Sequence, residues 1–479
     1  MKKIIVWFRK DLRLHDNPAL WNAAQQGMVI PVYIWSEEEE REYATSEAAR
    51  WWLHHSLIAL EKKLKTHGWT LILRKGSSFA QLTSIIKQTQ ADAIFFGERY
   101  EPSIIRRDRT ITSDLLSQVS EVRSFSSNLL FTPMDLLNQK NEPYKVFTSF
   151  WKRAIRELVS RPLPIPVNIA PYAKPISSLQ VEELGLLPTK TWHEKFHKHW
   201  KPGEEGAIAR WEQFVEKGLN YYVEKSDIPS ALAVSLLSPH LVWGDISVRS
   251  VWYSAKRLTD EEPEKYMNSS IDAFLRQLIW REFAYHQLIH YPTMIHDPLR
   301  EKFKLFPWQG TEEEMKKWQK GMTGYPLVDA GMRELWETGA LHNRVRMVVS
   351  SFLVKHLLIS WVDGSKWFQE TLVDFDAASN AMGWQWVAGS GIDAAPYFRI
   401  FNPIIQSQKF DADGQYIRKW LPEIANIPSK YIHEPWKAPA HILLEAGVVL
   451  GKTYPLPIID HSFARIRALE AYKEVKNEM

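Results

Sequence analysis

The sequence predicts an α/β + α protein: an N-terminal doubly wound parallel α/β domain, a long linker and a C-terminal all-helical domain. Three observations predict it. Short apolar runs alternate with helical patterns up to about residue 125. Prolines then recur from Pro133 to Pro188. From Glu204 onward, apolar residues return at helical spacing. A chain of 479 residues exceeds one hydrophobic core. The expected divisions are 1–130, 131–200 and 201–479.

Ile4 to Phe8, Val29 to Trp35, Leu71 to Arg74 and Ala93 to Gly97 read as strands, because near-continuous apolar runs suit a parallel sheet covered on both faces. Asn17 to Gln26, Ser46 to His67, Phe79 to Gln90 and Ser103 to Ser117 read as the helices between them. Ligands of such sheets bind beyond the carboxyl ends of the strands. The loop Arg9-Lys-Asp-Leu-Arg-Leu-His-Asp occupies that place after the first strand. No G-x-G-x-x-G follows that strand, and Gly447-Val-Val-Leu-Gly-Lys-Thr is one residue short of a Walker loop, so a standard dinucleotide binder is not expected. Glu37 to Glu40 reads as a solvated helix start or loop. The prolines preclude long helices in the linker. Beyond it, Gly206 to Lys217, Val248 to Leu258, Ile271 to His290, Thr311 to Lys320, Val328 to Glu337, Leu341 to Val362 and Trp367 to Leu372 read as helices.

Hydrophobic content of 45% and charged content of 24% are those of a soluble globular protein. The net charge of +4 is mild, so a nucleic-acid partner requires a local basic patch. The absence of Cys excludes disulfides, thiolate zinc sites and cysteine-ligated clusters. The apolar start, Ile4 to Phe8, is too short for a signal-peptide core, and no apolar run reaches membrane-spanning length. A cytoplasmic protein is expected.

The richest segment is Asn380-Ala-Met-Gly-Trp-Gln-Trp followed by Asp393-Ala-Ala-Pro-Tyr-Phe-Arg-Ile-Phe-Asn-Pro. Indole is readily oxidised, and the chain has 22 Trp. Taken alone, the segment reads as an aromatic core; the polar Asn380 and Arg399 within it suit a redox cofactor. On the helix from Ile271, Gln277, Trp280 and Arg281 share a face; on the helix from Leu341, Asn343, Arg346 and Met347 do so. Singly, each is more often a structural residue. Together they describe a pocket of flat aromatic surface and bidentate donors, since buried polar groups need partners. His193-Glu-Lys-Phe-His197 matches a zinc-protease pattern, but no third ligand follows at helical spacing, and no metal is expected.

Ile279-Trp-Arg-Glu-Phe, Gly324-Tyr-Pro-Leu-Val-Asp-Ala-Gly-Met-Arg, His342-Asn-Arg-Val-Arg-Met and Ser351-Phe-Leu-Val-Lys occur in order before the segment from Asn380. Trp7-Phe-Arg-Lys-Asp-Leu-Arg-Leu-His-Asp-Asn and Tyr144-Lys-Val-Phe-Thr precede them. In this order the chain resembles the DNA photolyase/cryptochrome family over essentially its whole length, closest to class I cyclobutane pyrimidine dimer photolyases. The resemblance implies an antenna-type α/β domain and a helical domain that binds FAD non-covalently, reduced and U-shaped. It implies that Asn380 faces flavin N5, that Arg346 and Asp374 pair beside the ring, and that Asp376 meets its polar edge or the ribose. Tyr222, Ser235, Leu236, Leu237 and Ser238 match the phosphate-holding segment, and Phe274, Gln277, Arg281 and Asn343 complete the expected cofactor contacts. Trp384, Trp361 and Trp308 match an electron relay. Trp280 and Trp386 would wall the lesion, with Gln277, Asn343 and Met347 lining the cavity and Arg344 and Arg399 on phosphates of a flipped-out dimer.

The expected function is therefore light-driven repair of cyclobutane pyrimidine dimers by a carbon–carbon lyase; the alternatives are a cryptochrome-type blue-light receptor or repair of (6-4) photoproducts. A light-independent flavin electron carrier would have no use for Trp280 and Trp386. Against the family pattern, Gln277 replaces a Glu, Val234 a Thr, and Ser226 a basic residue. Gln keeps donor and acceptor atoms but cannot transfer a proton. Ser103 and Ile104 replace an Asn-Glu pair after Tyr100-Glu-Pro. The second, antenna chromophore is left open between a folate held differently, a deazaflavin, another flavin and an empty site. The expected partner is UV-damaged DNA, single- or double-stranded, with nucleoid association when bound, no membrane, no obligate protein partner and a monomeric state. The helix-like end, Ala464-Arg-Ile-Arg-Ala-Leu-Glu-Ala-Tyr-Lys, lacks a receptor's long polar extension and favours the enzyme.

Overall fold

A computed structural model describes residues 1–167 and 170–477. Five parallel strands form the sheet: β1 Lys2–Phe8, β2 Gly27–Trp35, β3 Ile72–Lys75, β4 Ala93–Gly97 and β5 Glu121–Phe125. Their order is β3-β2-β1-β4-β5, with Ile5 of β1 opposite Ile30 on one side and Ile94 on the other. The strand order reverses between β1 and β4, the switch point of a doubly wound sheet. Helices Pro18–Gln26, Glu47–Thr66, Ser78–Thr89 and Pro102–Leu115 connect the strands, close to the expected spans. The first starts at Asn17, whose side chain accepts from Leu20 N at 3.0 Å, with Pro18 at the first helical position.

Sequence reading missed β5. Its Glu-Val-Arg-Ser-Phe residues are half-buried or exposed at the sheet edge, so the apolar run that marks the inner strands is absent.

The expected helix over 341–362 is interrupted. A helix Asn343–Ser351 passes into a wider turn at Phe352–His356; Leu358 takes a left-handed φ of 52°, and a new helix, Trp361–Thr371, begins where Ser360 accepts from Val362 N. Residues Val348 to Ile359 are all buried, so the apolar pattern runs through the break and gives no sign of it. The helix expected at Trp367 to Leu372 starts six residues earlier for the same reason. Helix Ala377–Ala388, which carries Asn380, Trp384 and Trp386, went unrecognised because it is apolar nearly all round and shows no stripe.

Two compact units, interleaved in sequence, make up the chain: Met1–Tyr222, Ser235–Pro292 and Val373–Asp376 form one, and Val223–Val234, Thr293–Leu372 and Ala377–Met479 the other. The first therefore holds the sheet together with helices Glu204–Lys217, Val248–Glu261 and Asn268–His290. Thr191–Lys198 is a tight three-residue-per-turn helix, which takes His193 and His197 off a common face. No metal-binding cluster occurs among the described residues. No described helix is long and apolar enough to cross a membrane.

Candidate functional site

The strand ends come first, because the topology points there. Gly97 ends β4, and a Cβ there would collide with Asp11 and Ser127, so the loop after β1 lies tightly on the sheet. Beside it a buried charge network closes the crevice. Arg99 binds Glu40 at 2.5 and 2.8 Å and Glu101 at 2.8 Å, Lys10 reaches Glu101 at 2.9 Å, and Arg9 pairs with Asp108. Despite full burial, the Arg99 and Lys10 cations hold Glu101 well below the usual carboxylate range. The remaining space is about 30 Å³, lined by Trp7, Tyr33 and Trp35 with Arg9, Lys10, Glu40 and Arg99, which is room for about one water. Ser103 and Ile104 are both buried.

The first unit also carries the expected phosphate segment. Leu236, not glycine, holds a φ of 52° and is followed by Leu237 at φ −87°; alternation of this kind turns successive N–H groups toward one side, as anion sites require. Ser238 donates to Asp374 at 2.6 Å, and Tyr285 donates to Asp376 at 2.5 Å. Burial and the Asp376 carboxylate push the Tyr285 phenol well up, so it stays a donor. Tyr222 packs edge-on against Phe274 at 5.8 Å.

On helix Asn268–His290, Gln277 is exposed and reaches only Ala273 O, at 3.5 Å. Trp280 is half-buried and lies flat on Phe147, ring centres 3.4 Å apart at 6°. Arg276 sits over Phe147 at 5.2 Å. Arg281 fastens loops, donating to Asn128 O at 2.6 Å and Leu241 O at 3.3 Å. Phe147 belongs to the Tyr144-Lys-Val-Phe-Thr motif, but sequence reading gave it no role.

In the second unit, Asn380 and Trp384 lie one turn apart on helix Ala377–Ala388, while Trp386 leaves that face. Asn380 Nδ2 donates to Ser365 Oγ at 2.8 Å and to Ser365 O at 3.3 Å, which leaves Oδ1 as the acceptor the amide can offer. Trp384 is 2% exposed and Trp361 is 3% exposed, whereas Trp308 is half-buried against Phe306. Trp384 touches Phe368 at 4.9 Å and a further buried indole, Trp318, at 6.4 Å.

Asn343 is exposed and Met347 half-buried on helix Asn343–Ser351. Burial pushes the preceding His342 down to about 4, so its neutral ring accepts from Arg344 N at 3.2 Å and caps the helix. Arg344 pairs with Asp227 at 2.5 Å and lies over Phe410 at 4.3 Å. Arg346 is half-buried. Arg399 is exposed, and its carbonyl accepts from buried Lys355 at 2.9 Å. Ser365, Asp227 and Trp318 escaped sequence reading, since single polar or aromatic residues carry no spacing signal.

Residues 4–167 match the model of the DNA photolyase family, and residues 274–474 match the FAD binding domain of DNA photolyase. A deoxyribodipyrimidine photo-lyase of Agrobacterium fabrum is 47% identical across 99% of this chain and 98% of that protein. The chain belongs to the DNA photolyase/cryptochrome family. Cryptochrome-2 of Arabidopsis thaliana is 39% identical over 97% of the chain and 78% of its own length. A solved structure, described as a bacterial class III photolyase from Agrobacterium tumefaciens, superposes with a TM-score of 0.96 at 46% identity, covering 100% of this chain and 98% of that one.

The class I placement expected from the motifs is thereby corrected, as the solved relative matching the whole chain is class III. Both photolyases and a cryptochrome align along nearly the whole chain, so motifs shared across the family identify it without resolving its classes. Family membership makes FAD the cofactor of this fold, and the residues present fit it. The Leu236–Leu237 turn offers backbone donors for phosphate, Asp374 and Asp376 are held in place by hydroxyls, and Asn380 is oriented by Ser365.

Proposed function

We propose that this protein repairs cyclobutane pyrimidine dimers in DNA under light. The observation that carries the reading is Trp280: a half-exposed indole stiffened from behind by the parallel Phe147 ring, on the helix that also presents Gln277. Stacking on such a surface is worth about 1–3 kcal/mol per base. A rigid platform loses little entropy on binding, so it favours the fused dimer, whose two rings cannot move independently, over two mobile bases. Trp386 would supply the second wall, with Asn343 and Met347 beside it. Arg399 would meet a backbone phosphate. Arg344 would do the same, already straightened by Asp227 and Phe410. A damaged pair stacks weakly, which lowers the cost of extrusion.

Tyr222, Ser235 to Ser238, Phe274, Arg281, Arg346, Asp374, Asp376 and Asn380 would hold FAD. The chemistry supplied by bound, fully reduced FAD is one light-driven electron lent to the dimer and recovered once the ring has opened, with no net redox change. Gln277 can bond lesion carbonyls and imide N–H groups but carries no proton to give. Asn380 Oδ1 offers an acceptor to a protonated ring nitrogen. Trp384, Trp361 and Trp308, ordered from buried to half-exposed, would return the cofactor to its reduced state.

A cryptochrome-type receptor is the second reading, supported by the 39% identity to Cryptochrome-2 and by Gln277. Oligonucleotides bearing a cyclobutane dimer or a (6-4) product, illuminated with the reduced protein, separate the readings. Dimer restoration alone is expected. Restoration of the (6-4) product, or of neither, contradicts repair of dimers.

A further inference from the structure

Helix Trp361–Thr371 has a glycine where the Trp384 ring lies against it. A Cβ built on Gly364 would overlap the edge of that ring, 2.6 Å from Cζ3 and closer still to Cη2, and would lie 2.6 Å from Leu353 Cδ2. Trp384 is 2% exposed and packed among other rings, with Phe368, one turn after Gly364 on the same helix, at 4.9 Å and Trp318 at 6.4 Å. Its Nε1 is buried with no hydrogen-bond partner among the described residues, so the protein holds the indole there by packing. Gly364 is one turn after Trp361, which opens the helix behind the Ser360 cap. The next residue, Ser365, holds the Asn380 amide. One two-residue step thus carries both the amide and the indole, which are themselves one turn apart on helix Ala377–Ala388.

We infer that Gly364 is a positioning residue for light-driven reduction of the cofactor, seating Trp384 against the start of the helix that carries Trp361. This rests on reading Asn380 and Trp384 as facing the flavin, and it does not depend on which lesion is repaired. In each event one electron leaves the Trp384 indole for the cofactor, is replaced from Trp361, and that in turn from Trp308. A soluble thiol then supplies the electron missing at Trp308 and is itself oxidised. Two such events, with protons from water, complete the reduction. A side chain at 364 pushes the ring off the helix and so changes the gaps that the electron crosses on either side of Trp384.

The test compares FAD-loaded wild type with Gly364→Ala, and with Gly364→Ala/Leu353→Ala, which relieves the Leu353 clash and leaves the one with Trp384. Light-driven reduction with thiol is followed by flavin absorbance, and dimer repair is measured separately after chemical reduction in the dark. Photoreduction is expected to slow severalfold in both variants. Bound FAD and repair by the chemically reduced protein should stay within about 2-fold of wild type. In a Trp384→Phe background, Gly364→Ala should change photoreduction no further. Unchanged photoreduction overturns the inference. So does a parallel fall of photoreduction, FAD content and pre-reduced repair in both variants, since the glycine would then serve packing only. If wild type photoreduces yet repairs no dimer, the repair reading fails while the positioning result stands.

Discussion

Asn380 shows how much one residue's role depends on its neighbour. An amide can present either end to a ring nitrogen, and the bond from Nδ2 to Ser365 selects Oδ1. Ser365→Ala removes the 2.8 Å bond and leaves only the longer one to the Ser365 carbonyl, at 3.3 Å, which loosens the amide at a cost of about 1 kcal/mol. Air reoxidation of the reduced flavin, followed by absorbance, should then quicken severalfold; an unchanged rate would show that Ser365 does not set the amide. At the proposed lesion site, Trp280→Ala would remove the stacking platform. Affinity for a dimer-containing oligonucleotide should fall by about 1–3 kcal/mol, with affinity for undamaged DNA of the same length nearly unchanged. Equal losses for both would assign Trp280 to general DNA contact. Asn380, Trp280 and Trp384 could be singled out in the sequence because they sit in ordered motifs. Ser365, Gly364 and Phe147 gained meaning only from what they touch.

Among the elements, the broken segment after Ser351 is the least legible and among the most consequential. The apolar pattern from Leu341 suggested one long helix, whereas the chain widens at Phe352–His356 and turns at Leu358. The break buries Lys355, 2% exposed, where burial and then the nearby Arg399 charge push the ammonium down to about 7. The unfolded chain keeps a lysine protonated up to about pH 10.4. Between those values the unfolded state binds more protons, so this residue's contribution makes stability rise with pH, and its full penalty is present below pH 7. Thermal unfolding of Lys355→Met against wild type should show the variant's relative stability highest near pH 6 and falling toward pH 10. A difference independent of pH would mean that Lys355 titrates alike in both states. Strands β1 to β4, by contrast, were plain in the sequence, since each centres on a buried apolar run, edge strand β3 included; β5 was not, since its residues are half-buried or exposed and carry no such run.

For the whole molecule, a net charge of +4 gives no general attraction to DNA, so the proposed binding would depend on local cations, for which Arg399 and Arg344 are the candidates. The logarithm of the dimer-DNA binding constant should fall linearly with log salt concentration, and Arg399→Ala should flatten the slope by about 1. A slope unaltered in that variant would remove Arg399 from the phosphate contacts. Family and cofactor were readable because their motifs run the length of the chain. Class was not, as the class III relative corrected the expected class I. The packed charges at the strand ends, Arg99 with Glu40 and Glu101, could not be foreseen either, since residues distant in sequence meet there.

The most direct measurement is the number of cyclobutane dimers restored per photon absorbed, with the bound FAD either fully reduced or oxidised before a brief flash. Restoration is expected from the reduced preparation only, and none in the dark. Equal restoration from both preparations, or none from the reduced one, would contradict light-driven repair as this protein's function.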